Sequence, residues 1–109
     1  MAYEQELMEA LDGETAGEFG IFYEHPGWIN LVHKDTEGVV VAATPLYDGD
    51  NQINVQITTD DGDDVSFFDI NYEYTGNLQS DIRLYKQKIE EHGRMILDAV
   101  KEHRKTLEK

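Results

Sequence analysis

The stretch Gln52–Tyr74, QINVQITTDDGDDVSFFDINYEY, decides the fold. In its first half Ile53, Val55 and Ile57 point one way, and Gln52, Asn54, Gln56 and Thr58 point the other. That period of two marks a half-buried strand. Asp61-Gly62-Asp63 then supplies turn chemistry, because aspartate tolerates and glycine favours positive φ. The second run is apolar at Val65 and Phe67 on one parity, and at Phe68, Ile70, Tyr72 and Tyr74 on the other. A one-residue shift of this kind is what a β-bulge does to a strand, and it places the bulge at Phe67–Phe68.

Upstream, EFGIFYE (18–24) and WINLVHK (28–34) flank His25-Pro26-Gly27, a second hairpin signal. Phe19, Ile21 and Tyr23 share one face of the first strand; Ile29, Leu31 and His33 share one face of the next. The run VVVAAT (39–44), closed by Pro45, is continuously apolar, as expected of a central strand covered on both faces. A short helix precedes the strands at Tyr3–Leu11, with Leu7, Met8 and Leu11 on one face and Asp12-Gly13 as its stop. The segment ETAG (14–17) reads as a linker.

After Gly76 the period becomes helical. Asn77 or Ser80 can cap, and apolar side chains recur at Leu78, Ile82, Tyr85, Ile89, Ile96 and Val100. A helix running to Leu107 would be about 45 Å long, more than the width of a domain of 109 residues. Either Gly93 marks a bend or the last turns project onto something else, a second copy being the simplest partner. Residues 1–109 therefore read as one α+β domain: short N-terminal helix, five-stranded antiparallel meander, and long C-terminal helix packed on one sheet face.

Charge is the most informative part of the composition. The net charge is −14, unevenly placed: residues 1–81 hold eighteen acids against Lys34 alone, a charge of −17. Residues 82–109 hold eight cations against five acids, a charge of +3. Such a surface repels nucleic acid and anionic membrane and attracts a basic protein surface. The chain has no cysteine, which removes disulfides, thiolate metal sites and cysteine nucleophiles. The acidic N-terminus is unlike a secretory signal, and the longest apolar run, Val39–Ala43, is far too short to span a bilayer. The expected compartment is the cytoplasm.

No catalytic pattern fits. An EF-hand loop begun at Asp60 meets Val65 at position six, and one begun at Asp48 meets Ile53 there and Thr59 at position twelve. The four histidines form no H-E-x-x-H, although His25 and His33 can approach across their hairpin. Ser66 and Ser80 lie in no nucleophile elbow, and the glycines form no phosphate loop. The cations of the last helix interleave with acids in pairs such as Glu90–Arg94, ordinary helix support at i, i+4. The reading is of no enzyme, no metal and no cofactor.

What is left over is acid and aromatic surface. A turn needs one aspartate and one glycine, so most of Asp60, Asp61, Asp63 and Asp64 is surplus to folding. Tyr23, Trp28, Tyr47, Tyr72 and Tyr74 exceed what one sheet face needs, and tyrosine and tryptophan are enriched at interface hot spots. The expected partner-binding residues are Asp48, Asp50, Asp60, Asp61, Asp63, Asp64, Asp69, Trp28 and Tyr72. In size and charge the chain resembles the small acidic α+β proteins of phage and mobile elements that block nucleic-acid-handling proteins: DNA mimics, anti-CRISPR and anti-restriction inhibitors. DNA carries a charge about every 1.7 Å, and acidic loops at strand ends can supply rows denser than the roughly 6.6 Å repeat along a strand. The expected partner is thus a basic protein surface, with no direct nucleic acid, no membrane, and a homodimer available through the C-terminal helix. Two alternatives stand beside this. One is a small dimeric chaperone or immunity-type binding protein, which the chain resembles except for a missing helix between the third and fourth strands. The other is a domain whose acidity is halophilic adaptation.

Overall fold

The computed structural model describes residues 3–24, 27–45, 52–59 and 65–107. It is an α+β fold: α1 (Tyr3–Leu11), strands β1 (Thr15–Ala16), β2 (Phe19–Glu24), β3 (Trp28–Val32), β4 (Val39–Pro45), β5 (Gln52–Thr59) and β6 (Val65–Asn71), then α2 (Leu78–Glu91) and α3 (Gly93–Leu107). The strands form one antiparallel sheet in chain order, β1 to β6. The sixth strand, beyond the five expected, is β1, made from the ETAG segment. Gly17, at φ +62°, turns the chain so that Ala16 pairs with Phe19. Two residues are too few to show an alternation, which is why the segment reads as a linker.

Helix α1 buries Leu7, Met8 and Leu11, each such side chain stabilising by about 1.5–3 kcal/mol. Its end is welded to the sheet. Gly13 N–H donates to the Ile21 carbonyl at 2.8 Å, Ile21 N–H to the Glu14 carbonyl at 2.9 Å, and Tyr23 N–H to Asp12 Oδ1 at 2.9 Å. A 3-10 turn, Lys34–Thr36, links β3 to β4 and is capped by the ring of His33.

Two expectations about the strands are corrected. Strand β6 carries no bulge: its register against β5 runs unbroken from Gln52↔Asn71 to Thr58↔Val65. Phe68 and Ile70 face the core, while Phe67 faces outward. The parity shift that suggested a bulge is an apolar side chain on the solvent face. Strand β4 is central, as expected, but among the described residues no second layer covers it. Its outward Ala42 and Thr44 are buried because they are short and lie between longer neighbours, Asn30↔Ala42↔Gln56 being one row.

The C-terminal segment is two helices. Asn77 Oδ1 caps α2 by accepting Ser80 N–H at 3.0 Å. The break falls at His92, whose N–H is shared by the Lys88 and Glu90 carbonyls and whose Nδ1 bonds the Lys88 carbonyl at 2.9 Å. Beside it, a Cβ on Gly93 would stand 3.1 Å from the Phe19 ring, so the glycine lets the chain press against β2. Arg94 faces Asp98 at 3.8 Å. Helix α3 then lies over the sheet with Ile96, Val100 and His103 buried. Arg104 donates to the Glu37 carbonyl. The molecule measures 45 × 25 × 23 Å. No helix among the described residues is long and apolar enough to cross a membrane.

Candidate functional site

All three helices cover one face of the sheet. That face supplies Phe19, Ile21, Ile29, Leu31, Val41, Ala43, Ile53, Val55, Ile57 and Ile70 to the core. The opposite face has no helix over it among the described residues. It carries Phe22 (48 % exposed), Trp28 (39 %), Val32 (52 %) and Phe67 (70 %). These are four of the five large apolar side chains exposed among the described residues, the fifth being Met95 on α3. Single exposed apolar residues are ordinary; a group of them on one open face marks an interaction surface.

Register places these residues. One row crosses the face as Phe22↔Asn30↔Ala42↔Gln56↔Phe67, spanning about 19 Å at roughly 4.8 Å per strand. Gly20 pairs with Val32. A Cβ on Gly20 would lie 3.0 Å from the Phe22 ring, so that ring rests over the glycine beside Val32. A concavity of about 480 Å³ opens next to it, where β3 and β4 diverge, lined in part by Asn30, Val32, Val40, Lys34 and Glu37.

Trp28 stands on this face opposite Glu24, and Glu24 accepts a hydrogen bond from Asn30 Nδ2 at 2.5 Å. Asp69 lies on it too, opposite Asn54. Gln56 Nε2 donates to Asn54 Oδ1 at 2.8 Å, and Asn54 Nδ2 donates to Asp69 Oδ1 at 2.9 Å. This relay of amides fixes the Asp69 carboxylate and polarises toward it.

Of the sequence-predicted partner residues, Trp28 and Asp69 are therefore brought to one surface. Tyr72 is not: it is 4 % exposed and belongs to the core. The strand ends at Asn71, and the ring turns inward against Tyr74, at 6.3 Å between centroids. Tyr74 in turn stacks on Tyr3 at 6.0 Å. Asp48, Asp50, Asp60, Asp61, Asp63 and Asp64 lie outside the described residues, as do Tyr47 and His25. In sequence, Asp48 and Asp50 fall between β4 and β5, and Asp60, Asp61, Asp63 and Asp64 between β5 and β6.

Two buried polar clusters are structural. Asp81, fully buried, receives Thr75 N–H at 2.6 Å, Thr75 Oγ1–H at 2.9 Å, Gly76 N–H at 3.0 Å and the Tyr3 hydroxyl. Burial alone would raise its pKa, but these bonds outweigh it and hold the carboxyl below the usual range. Burial, together with the neighbouring Asp81 charge, pushes the Tyr3 and Tyr72 hydroxyls up. Asp81 thus ties α1, the turn before α2 and α2 itself together through one carboxylate. His33 Nδ1 accepts Asp35 N–H at 3.0 Å, which puts the ring proton on Nε2, facing Glu18 Oε1 at 3.1 Å. Among the described residues no group of three or more histidines and carboxylates is placed to hold a metal.

Sequence reasoning missed Phe22, Val32 and Phe67 as surface residues. The signal was present in the parity: once Ile21 and Leu31 face the core, Phe22 and Val32 face away. Comparison of the chain with known protein families, curated proteins and solved structures gives no match.

Proposed function

We propose that the protein is an acidic binding module whose open sheet face engages a basic protein surface, a nucleic-acid-handling protein being the class its charge addresses. The observation that carries this reading is the group Phe22, Trp28, Val32 and Phe67, exposed together on the sheet face that no helix among the described residues covers, in a chain of net charge −14. Apolar area in the middle supplies desolvation energy, and surrounding carboxylates supply steering and choice of partner.

The test is titration of basic nucleases and repressors onto the protein at 50 and 500 mM salt, with lysozyme as a control for charge alone. A cognate partner loses at least tenfold in affinity over that range. It loses a further ten- to thirtyfold on Trp28→Ala or Phe67→Ser, as about 1.4–2 kcal/mol at an interface anchor implies. Binding that is absent, or indifferent to salt, refutes the reading. The chaperone or immunity-type alternative is favoured by the same exposed apolar group, and is separated by charge. Under it, Trp28→Ala abolishes binding while Asp60→Asn and Asp61→Asn leave it unchanged.

A further inference from the structure

We infer that the partner docks as an extended strand on the free edge of β6, adding a seventh strand to the sheet. The inference rests on reading the open face as the surface for a basic partner, and it specifies how that partner sits.

The two edges of the sheet differ. Strand β1 is two residues long and lies under α2, where Lys86 Nζ meets Glu14 Oε1 at 2.8 Å. Strand β6 is seven residues long and regular, and it pairs only with β5 among the described residues. Antiparallel pairing engages the backbone groups of alternate residues, so half of those on β6 point away from β5. No other backbone hydrogen bond among the described residues reaches Val65–Asn71. Proteins ordinarily blunt such an edge with lysine, proline or a bulge. The sequence VSFFDIN holds neither lysine nor proline, and its register shows no bulge.

The side chains of this edge continue the open face. Phe67 is 70 % exposed, and the tethered Asp69 stands two residues along on the same side. An added strand presents alternate side chains to that face. An aliphatic or aromatic residue beside Phe67 and a lysine or arginine beside Asp69 complete it. Charge decides the occupant. The segment leading into β6 contains Asp60, Asp61, Asp63 and Asp64, and Glu73 follows the strand. A second copy would bring together two chains of −14 each. A basic extended segment instead meets Asp69 on the strand with the opposite charge.

The probe is a synthetic ten-residue peptide alternating lysine with valine and threonine, together with the same peptide N-methylated along both edges, which keeps the charge and removes the backbone donors. Binding is followed by Trp28 fluorescence and by amide hydrogen exchange at 50 mM salt. The expected result is at least tenfold slowing of alternate amides within Val65–Asn71, at least tenfold weaker binding of the N-methylated peptide, and similar weakening on Phe67→Lys, an exposed position that leaves the fold intact. Equal binding of both peptides, with a Trp28 response and unchanged β6 amides, overturns edge docking while leaving the open-face reading standing. Protection of β6 without peptide, with a dimer in sedimentation, overturns the choice of occupant. No binding of either peptide overturns this inference; the open-face reading falls separately, on the nuclease and repressor titration.

Discussion

Replacing Asp81 by asparagine keeps the shape of a fully buried side chain and removes its charge. The remaining carbonyl oxygen can still accept Thr75 N–H and Thr75 Oγ1–H. The new amide nitrogen faces Gly76 N–H, donor against donor, and the Tyr3 hydroxyl must rotate to accept. One bond is lost with a strained contact in its place, about 1–2 kcal/mol, and the others fall from charge-assisted to neutral strength, about 0.5–1 kcal/mol each. The easier burial of a neutral amide offsets part of this. The net expected loss is about 2–3 kcal/mol, or about 8–12 °C in Tm for a chain of this length. Urea and thermal unfolding followed by circular dichroism measure it. The pH dependence supplies a second, independent check. The Asp81 pKa is lowered in the folded state. Its contribution is therefore complete above the unfolded value of about 3.9 and is lost as pH falls through the lower folded value. The stability gap between wild type and Asp81→Asn should be constant above about pH 5 and shrink below about pH 4. Subtracting the variant cancels the titration of the other carboxylates. A loss under 0.5 kcal/mol, or a gap that does not close in acid, would show that Asp81 is not the charged clasp described.

Three further outcomes are expected. The Tyr72 hydroxyl is buried without a partner among the described residues, whereas that of Tyr85 donates to the Ala43 carbonyl at 2.5 Å; Tyr72→Phe should therefore leave stability unchanged or raise it by up to about 1 kcal/mol, while Tyr85→Phe costs about 1–2 kcal/mol, both read by urea unfolding. Phe67→Ser should change stability by less than about 0.5 kcal/mol and Phe68→Ala should lower it by about 2 kcal/mol, since only Phe68 packs on the core; comparable losses at both would restore the bulge. Raising sodium chloride from 50 to 500 mM should stabilise the fold by on the order of 1 kcal/mol by screening residues 1–81; a fold that forms only in molar salt would instead assign the acid to salt adaptation.

Elements whose apolar residues all face the core were readable from the chain. Ile53, Val55 and Ile57 alternate and are all fully buried, and Leu7, Met8 and Leu11 fix the face of α1. The helix is interrupted at His92, beside the Gly93 that the sequence singles out, but the close approach of Phe19 to that glycine is a contact between residues far apart in sequence. Misreadings arose where an apolar residue was assumed to point inward. Phe67 broke the parity of β6 and was absorbed into a bulge. Tyr72 is the opposite case: counted among aromatics in excess of one sheet face, it shares the parity of Phe68 and Ile70 and joins them at the core. Asp81 passed unnoticed among twenty-three acids, since only burial separates it from the rest. The site was thus half legible: Trp28 and Asp69 were named, while Phe22, Val32 and Phe67 required the sheet to be assembled.

The distribution of charge on the open face bears on which reading of the acidity is correct. Adaptation to salt, or solubility alone, is served best by carboxylates spread over every exposed surface. On this face the strands carry only Glu24 and Asp69 among the described residues, each held by an amide, and otherwise show apolar and neutral polar side chains. The surplus aspartates belong instead to the segments that leave β4 and β5 at opposite ends of β5. An apolar surface in a strongly acidic chain is what the proposed basic partner requires, with desolvation supplied by Phe22, Trp28, Val32 and Phe67 and charge by the carboxylates. An extended segment laid along β6 can meet both, an apolar residue against Phe67 and a cation against Asp69.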